Sequence, residues 1–345
     1  MPTLHVVLPG DIDDPAEPSG GNGYDRRICA GLAAVGWAVR EHAVPGSWPR
    51  PGDADRAALA AVLAGLPDDA PVLLDGLVAS TVPELLTAQS ARLRLVVLVH
   101  LPLEDEAEER ALAAARAVVA TSDWTGRRLC QRYALPAGRV HVAAPGVEPA
   151  PPATGSPAGT ALLCVATVAP HKGHDVLVEA LATLTDRRWT LTCVGPLTRD
   201  PGFVDRLRGR VDAYGLGGRV RLVGPLTGDG LAAAYDAADL LVLATRGETY
   251  GMVVTEALAR GIPVLASEVG GMPDALGWAP DGTRPGVLVP PDDPAALGGA
   301  LRRWLDEPAL REGLRRAAHD RRGTLPGWPV TTIRIDQVLK EAMAA

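Results

Sequence analysis

DLLVLATRGETYGMVVTEALARGIPVLASEVGG, residues 239–271, runs from a short apolar stretch through a glycine-bearing loop into a helical pattern and on to a second apolar stretch. Strand, loop, helix and strand in that order form the repeating unit of a parallel α/β sheet. Glu248 and Thr249 lie in the loop, and the helix is expected to start near Gly251, so its unpaired N–H groups and positive dipole end face that loop. A phosphate suits such an end. From Gly251 to Glu256 the helix rises about 7–8 Å at ~1.5 Å per residue. A diphosphate at the helix end could then have hydroxyls of one ring near Glu248 and of another near Glu256. Two acids at a helix start are also what a solvated first turn carries, so the rest of the chain has to decide.

At 345 residues the chain is long enough for two domains of ordinary size. Its hydrophobic content is 47% but aromatics make up only 4%, with Phe203 the single phenylalanine, so the cores must be built from Leu, Val and Ala. Small aliphatic side chains suit parallel sheets covered by helices. A formal charge of −7, from 34 basic and 41 acidic residues, gives no general attraction to nucleic acid. No segment approaches the roughly 20 apolar residues of a membrane span, and the opening TLHVVLPG reads as a strand rather than a leader. The expectation is a soluble cytoplasmic protein, with no basic amphipathic helix to indicate peripheral membrane contact. Cys29, Cys130, Cys164 and Cys193 lack CxxC spacing and are expected to be buried free thiols.

Working outward, apolar runs predict strands near 3–9, 38–43, 71–75, 94–100, 117–121 and 139–144 in the first half. APGVEPAPPATGSPAG (144–159) breaks the pattern with Pro and Gly and reads as a linker. Strands follow near 160–168, 189–195, 219–223, 239–244, 262–266 and 286–289, with helices opening near Pro294 and Pro308. The resulting division is residues 1–146, a linker over 147–159, and residues 160–327. The tail from Trp328 carries Ile333, Ile335, Val338, Leu339 and Met343, enough for one more partly buried helix.

Open parallel α/β sheets bind ligands beyond the carboxyl ends of their strands. In ATVAPHKGHD, Lys172 and Gly173 follow a strand and open a helix, where a cation can reach a phosphate. SGGNGYDRR (19–27) follows the first strand, and its glycines Gly20, Gly21 and Gly23 let a backbone come close to a ligand. His100 ends the run RLVVLVH, where most histidines are polar caps. Glu104, Asp105, Glu106, Glu108 and Glu109 read as the acidic first turns of a solvated helix.

Taken together, Glu248, seven residues, Glu256 and then ALARGIPVLASEVGGMPD resemble the retaining glycosyltransferases of family 4, which have the GT-B fold. The resemblance spans nearly the whole chain and is most specific in the second half. It implies two Rossmann-like domains facing across a cleft, with a C-terminal helix of about residues 328–345 crossing back to the first. It also implies transfer of a hexose from a nucleotide diphosphate sugar, UDP- or GDP-linked, to an unknown acceptor. Lys172 becomes the diphosphate residue, Glu248 the sugar ligand and Glu256 the ribose ligand. His100 contacts the donor sugar near the reacting carbon, and Gly20, Gly21 and Asn22 lie over the donor phosphates. Thr249, Tyr250, Gly251 and Met252 line the donor, and Gly270, Gly271 and Met272 border the sugar pocket. Base recognition falls around Val194, Gly195, Pro196 and Leu226. The chain departs from the family at Thr167, where an arginine is usual, which makes Arg246 and His171 the nearest substitutes. No acidic pair stands at a strand end as a metal site, so a metal-independent enzyme with no cofactor is expected, its leaving group held by the lysine and the helix end. The alternatives are a nucleotide-sugar 2-epimerase of the same fold and a sugar-nucleotide sensor without turnover.

Overall fold

The computed structural model describes residues 1–16 and 18–344. Among the described residues twelve strands form two sheets, all pairings being parallel. The first contains β1 (Thr3–Pro9), β2 (Ala38–Val44), β3 (Pro71–Asp75), β4 (Arg94–Val99), β5 (Ala117–Ala120) and β6 (Val140–Val142), in the order β2-β1-β3-β4-β5-β6. The second contains β7 (Ala161–Val165), β8 (Thr190–Val194), β9 (Val220–Gly224), β10 (Leu240–Leu243), β11 (Val264–Ser267) and β12 (Gly286–Val289), in the order β12-β11-β10-β7-β8-β9. Every strand expected from the apolar runs is present. The chain divides into a unit of Met1–Asp14, Ser19–Gly146 and Pro326–Ala345 and a unit of Pro15–Pro18 and Val147–Leu325.

The central strands are buried along their whole length, as in β3, β5, β10 and β11. Helices on both faces require this, and it explains why these strands read as unbroken apolar runs rather than alternating ones. Helix starts follow local chemistry: Ser122, Asp200 and Asp293 accept hydrogen bonds from the first-turn N–H groups of the helices they precede. Pro201, Pro294 and Pro308 occupy first turns, where a missing N–H costs nothing.

The C-terminal helix, Trp328–Ala344, belongs to the first unit. Its buried residues Thr331, Ile335, Val338, Leu339 and Ala342 recur at helical spacing. Full burial of an Ile, Val or Leu side chain is worth about 1.5–3 kcal/mol. Polar contacts set its register: Trp37 Nε1 donates to Asp336 at 2.8 Å and Thr331 Oγ1 to the Ala144 carbonyl at 2.8 Å. Ile333 and Met343, read as partly buried, are instead 51% and 40% exposed: Ile333 falls on the opposite face, and Met343 lies at the edge of the buried stripe in the last turn.

The Pro- and Gly-rich segment at 147–159 has no helix or strand, yet its second half is held to the second unit. Ala153 N donates to Arg260 O, and Thr154 donates to Asp236 through both N and Oγ1. Buried Asp239 accepts from Ser156 N, Ser156 Oγ and Ala161 N and is paired with Arg315 at 2.6 Å. Carboxylates thus replace the apolar contacts that the composition lacks.

Cys29, Cys164 and Cys193 are buried thiols, and Cys164 and Cys193 are register partners on β7 and β8. Cys130 is only half-buried, on the helix Asp123–Tyr133. No helix among the described residues is long and apolar enough to cross a membrane.

Candidate functional site

In the second sheet β7 comes first in sequence but sits at the centre, with β8 and β9 on one side and β10 to β12 on the other. The direction in which successive strands are added therefore reverses between β7 and β10, and loops leaving their carboxyl ends splay apart to leave room for a ligand. The loop after β7 carries Lys172 and the loop after β10 carries Glu248. Lys172 Nζ donates to Glu248 Oε2 at 2.8 Å, with both side chains about four-fifths enclosed (21% and 19% exposed). An ammonium has three N–H donors, so this pairing leaves two for other acceptors.

The two loops are locked together by backbone. Arg246 N and Thr245 Oγ1 both donate to the His171 carbonyl, at 2.8 and 3.1 Å. Gly173 has φ +66°, and a Cβ there would overlap the Ala244 carbonyl. The next loop leans on the same place: Gly271 N donates to the Glu248 carbonyl at 3.0 Å, and a Cβ on Gly270 would overlap that carbonyl. Lys172, Glu248, Thr249, Gly270 and Gly271 are thereby gathered, and Met272 joins them through contact with Gly251.

Gly251, at φ +99°, is the N-cap of the helix Met252–Leu258. That helix has seven residues, so its dipole is small and Lys172 is the principal positive charge beside it. Glu256 sits one turn in and accepts from Tyr235 O–H at 2.8 Å; Arg260 stacks over the Tyr235 ring at 4.6 Å. The neighbouring Tyr235 hydroxyl is pushed well above its usual range, first by burial and then by the Glu256 carboxylate, so it stays a donor. Met252 is half-buried beside Gly251, and Tyr250 is buried.

Arg246 does not take the place of an arginine at 167. Its guanidinium donates to both oxygens of Asp175 at 3.0 Å, to Asp292 at 2.6 Å and to the Pro170 carbonyl. Asp175 is correspondingly acidic: burial would raise its pKa, but the Arg246 hydrogen bonds and charge outweigh this and lower it. Arg246 ties the loop after β10 to the first turn of the helix His174–Ala182. Thr167 is half-buried, and the loops after β7 and β8 run side by side through Val168 N to Pro196 O at 2.9 Å. Gly195 sits against the Ala166 carbonyl, where a Cβ would overlap it. Leu226 lies in the loop after β9.

In the first unit the corresponding reversal lies between β1 and β3. Gly20, Gly21 and Asn22 are not loop residues here: they form the first turn of the helix Gly20–Ala34, which Ser19 caps by accepting from Asn22 N at 3.0 Å. None of Gly20, Gly21 and Gly23 has positive φ, so the cap rather than glycine freedom shapes this start. Gly21 does lie against the imidazole of His100, whose Cδ2 would be 3.4 Å from an added Cβ. His100 Nε2 is 2.7 Å from Asp25 Oδ1 and 3.7 Å from Asp75 Oδ2, and Tyr24 stacks edge-on at 5.1 Å.

Glu108 differs from its sequence reading. Glu106 and Glu109 are exposed, as a solvated helix start requires, but Glu108 is fully buried. It accepts from Ser80 Oγ (3.1 Å), Tyr133 O–H (2.6 Å), Leu103 N (2.9 Å) and Glu104 N (2.9 Å). Four donors to one carboxylate fix the segment that follows His100. Asp25, Asp75, Glu108 and Tyr235 are the site residues that sequence reasoning missed. Only Asp75 carried a usable signal, as a lone acid closing the apolar strand PVLLD just as His100 closes β4.

Residues 155–321, nearly all of the second unit, match the family model described as Glycosyl transferases group 1. Over its full length the chain superposes on sucrose-phosphate synthase from Thermosynechococcus elongatus with a TM-score of 0.81 at 24% identity, covering 100% of both chains. It has the GT-B fold. Anabaena Alr3699/HepE in complex with UDP-glucose shares this GT-B architecture at a TM-score of 0.75 and 16% identity, over 98% of this chain and 99% of that one. Among curated proteins, a D-inositol 3-phosphate glycosyltransferase of Jonesia denitrificans is 35% identical over 61% of this chain and 54% of its own length. A protein of the same name from Nocardiopsis dassonvillei is 34% identical over 67% of this chain and 56% of its own. The GT-B chain thus spans little more than half the length of these relatives.

Proposed function

We propose that the chain is a retaining glycosyltransferase that moves a sugar from a nucleotide diphosphate sugar to an acceptor hydroxyl without a metal ion. The observation that carries the proposal is the Lys172–Glu248 pair at 2.8 Å, set at the strand-order reversal of the second sheet beside a glycine-capped helix start. The two remaining donors of Lys172 meet the diphosphate, and charge developing on the departing phosphate is stabilised there. Glu248 orients sugar hydroxyls and Glu256, steadied by Tyr235, receives the ribose. His100 is assigned to the donor sugar near its reacting carbon. No carboxylate is assigned as a nucleophile, so attack on the face the leaving group vacates is the favoured course.

Two findings support this reading: the group 1 match over the second unit, and the UDP-glucose named with a neighbour of the same fold. The test is a thermal-shift screen of the full chain with UDP, GDP, TDP and ADP and their sugars, run with EDTA present. A ligand at 100 times its Kd stabilises by about 2.7 kcal/mol, so one nucleotide series should raise Tm by several degrees and the others should not. If no nucleoside diphosphate at millimolar concentration moves Tm, the assignment fails. Transfer is then scored with the donor found, taking D-inositol 3-phosphate, named in the relatives, as the first acceptor.

Glu256→Ala and Glu248→Ala are expected to separate. Losing a charged hydrogen bond costs about 1.5–3 kcal/mol, so Glu256→Ala should weaken nucleoside diphosphate binding by about 10- to 100-fold in calorimetric titration. Glu256→Gln keeps an acceptor for Tyr235 and controls for local unfolding. Glu248→Ala should leave that affinity within about threefold and reduce kcat instead, because a group that acts on the reacting sugar acts mainly in the transition state. Equal effects of both on nucleotide affinity would contradict the assignment.

A further inference from the structure

Asp25, Asp75 and His100 bring one oxygen, one oxygen and one nitrogen within 4.8 Å of one another, and both carboxylates are buried. Three elements supply them: the helix Gly20–Ala34, the end of β3 and the end of β4. Asp25 Oδ1 holds His100 Nε2 at 2.7 Å. Asp75 Oδ1 caps the short helix after β3, accepting from Leu77 N at 2.7 Å. That leaves Asp25 Oδ2, fully enclosed and offered no N–H or O–H donor as long as both acids are ionised. The Asp75 carboxyl group stands in the same cluster, within 4.8 Å through one of its oxygens, and its Oδ2 is 3.7 Å from His100 Nε2. Two buried carboxylates this close repel, and an unsatisfied buried oxygen is costly. A single proton between them removes both penalties.

We propose that Asp25 and Asp75 share one proton and act together as positioning residues for His100: the Asp75 hydroxyl donates to Asp25 Oδ2, which keeps Asp25 Oδ1 aimed at His100 Nε2. The imidazole is thereby held with its proton on Nε2, and Nδ1 is the nitrogen turned to substrate. The reading deepens the proposed transferase site by saying what orients its histidine. A divalent cation in the same place is disfavoured by geometry, since ligands about 2.0–2.2 Å from one ion at tetrahedral angles lie roughly 3.3 Å apart, whereas Asp25 Oδ1 and His100 Nε2 are 2.7 Å apart.

The charges around the cluster agree. Burial first, and then the Asp25 charge, push Asp75 up to about 7, against the opposing pull of His100 and Leu77 N–H. Burial works to lower the His100 pKa, but Asp25 and then Asp75 outweigh it and raise it. On the same helix as Asp25, Tyr24 is raised well above its usual range by burial and by Asp25, and donates to Ala143 O at 2.8 Å, while Cys29 is raised to about 12, mainly by burial. Both stay neutral. The C-terminal helix contributes Trp328 against Tyr24 and no charge that acts on Asp75 or His100.

The experiment is carboxyl ¹³C NMR of aspartate-labelled full-length chain, without donor or acceptor, so that it reads the pair whether or not transfer occurs. One aspartate carboxyl should titrate near neutral pH in the wild type. It should vanish in Asp75→Asn and move towards the acid range in Asp25→Asn, where Asp75 no longer faces an anion. The folded-state pKa of Asp75 is raised, so its contribution is present at low pH and lost as pH rises towards 7. Asp75→Asn should therefore raise Tm more at pH 8 than at pH 5. In kinetics, Asp75→Ala should lower kcat about tenfold with donor KM little changed, and Asp75→Asn, whose amide reproduces the donor, should recover most of it. A wild type with no aspartate titrating above about pH 5.5 overturns the proposal. So does stoichiometric Zn²⁺ binding to EDTA-treated protein that Asp75→Asn abolishes, which would make the three residues cation ligands. If the carboxyl titrates as stated but no donor is bound, the pair stands and the transferase reading falls.

Discussion

Lys172→Ala should lower the rate of sugar transfer by about 10²–10³-fold, the usual cost of removing one preorganised charge or donor from the place where negative charge develops. The expectation is at the upper end of single-residue effects because the arginine that could have stood in for it is engaged elsewhere. Arg246 is committed to Asp175 and Asp292, position 167 is a threonine, and the helix behind Gly251 is only seven residues long. The effect on folding should be modest. The Lys172–Glu248 pair keeps only one-fifth of each side chain exposed, so its loss should cost about 1–3 kcal/mol, between the cost of breaking an exposed pair and that of breaking a buried one. Steady-state kinetics with the donor identified by thermal shift, alongside a melting curve, make the comparison. A kcat within tenfold of wild type would remove Lys172 from the reaction, and a large fall in Tm would recast it as a structural residue.

Glu108→Ala should have the opposite signature, a loss of stability of about 3–5 kcal/mol measured by urea unfolding. The substitution strands the hydroxyls of Ser80 and Tyr133 and the N–H groups of Leu103 and Glu104 in a fully buried place. Each buried donor left without an acceptor costs about 1–3 kcal/mol, partly relieved where water enters. Tyr133 reports the same contact: burial, and then the hydrogen bond to Glu108, push its hydroxyl well above the ordinary tyrosine range. Spectrophotometric titration of the folded protein should show one tyrosine ionising at lower pH in the variant than in wild type. Glu106→Ala and Glu109→Ala, on the exposed face of the same helix, should each cost under about 0.5 kcal/mol. If all three changes cost the same, the carboxylate network does not hold the segment after His100.

What the sequence discloses and what it hides divide along physical lines. Strands such as DLLVLA and RLVVLV are buried on both faces, so their identity is written in consecutive residues, and all twelve were legible. The local positions of Lys172, Glu248 and Glu256, after a strand, in a loop and in the first turns of a helix, were legible because short-range spacing sets them. Pairings between distant segments were not. Nothing in EDEAEER distinguishes Glu108 from Glu106 or Glu109, because its partners Ser80 and Tyr133 lie 28 and 25 residues away. Arg246 looked available for a phosphate because Asp175, 71 residues earlier, gave no sign of facing it. The glycine cluster at 20–23 looked like a loop because glycine weakens helices, but the Ser19 cap and the buried face of Tyr24, Asp25 and Ile28 outweigh that preference.

The distribution of thiols makes the unaltered chain convenient to watch. Cys29, Cys164 and Cys193 are sealed inside the two sheets and their helices, and Cys130 alone among the four is partly open to solvent. A maleimide dye or nitroxide added to native protein should therefore attach at one defined point on the helix Asp123–Tyr133. Fluorescence or spin-label reporting could then begin without first engineering a cysteine-free background.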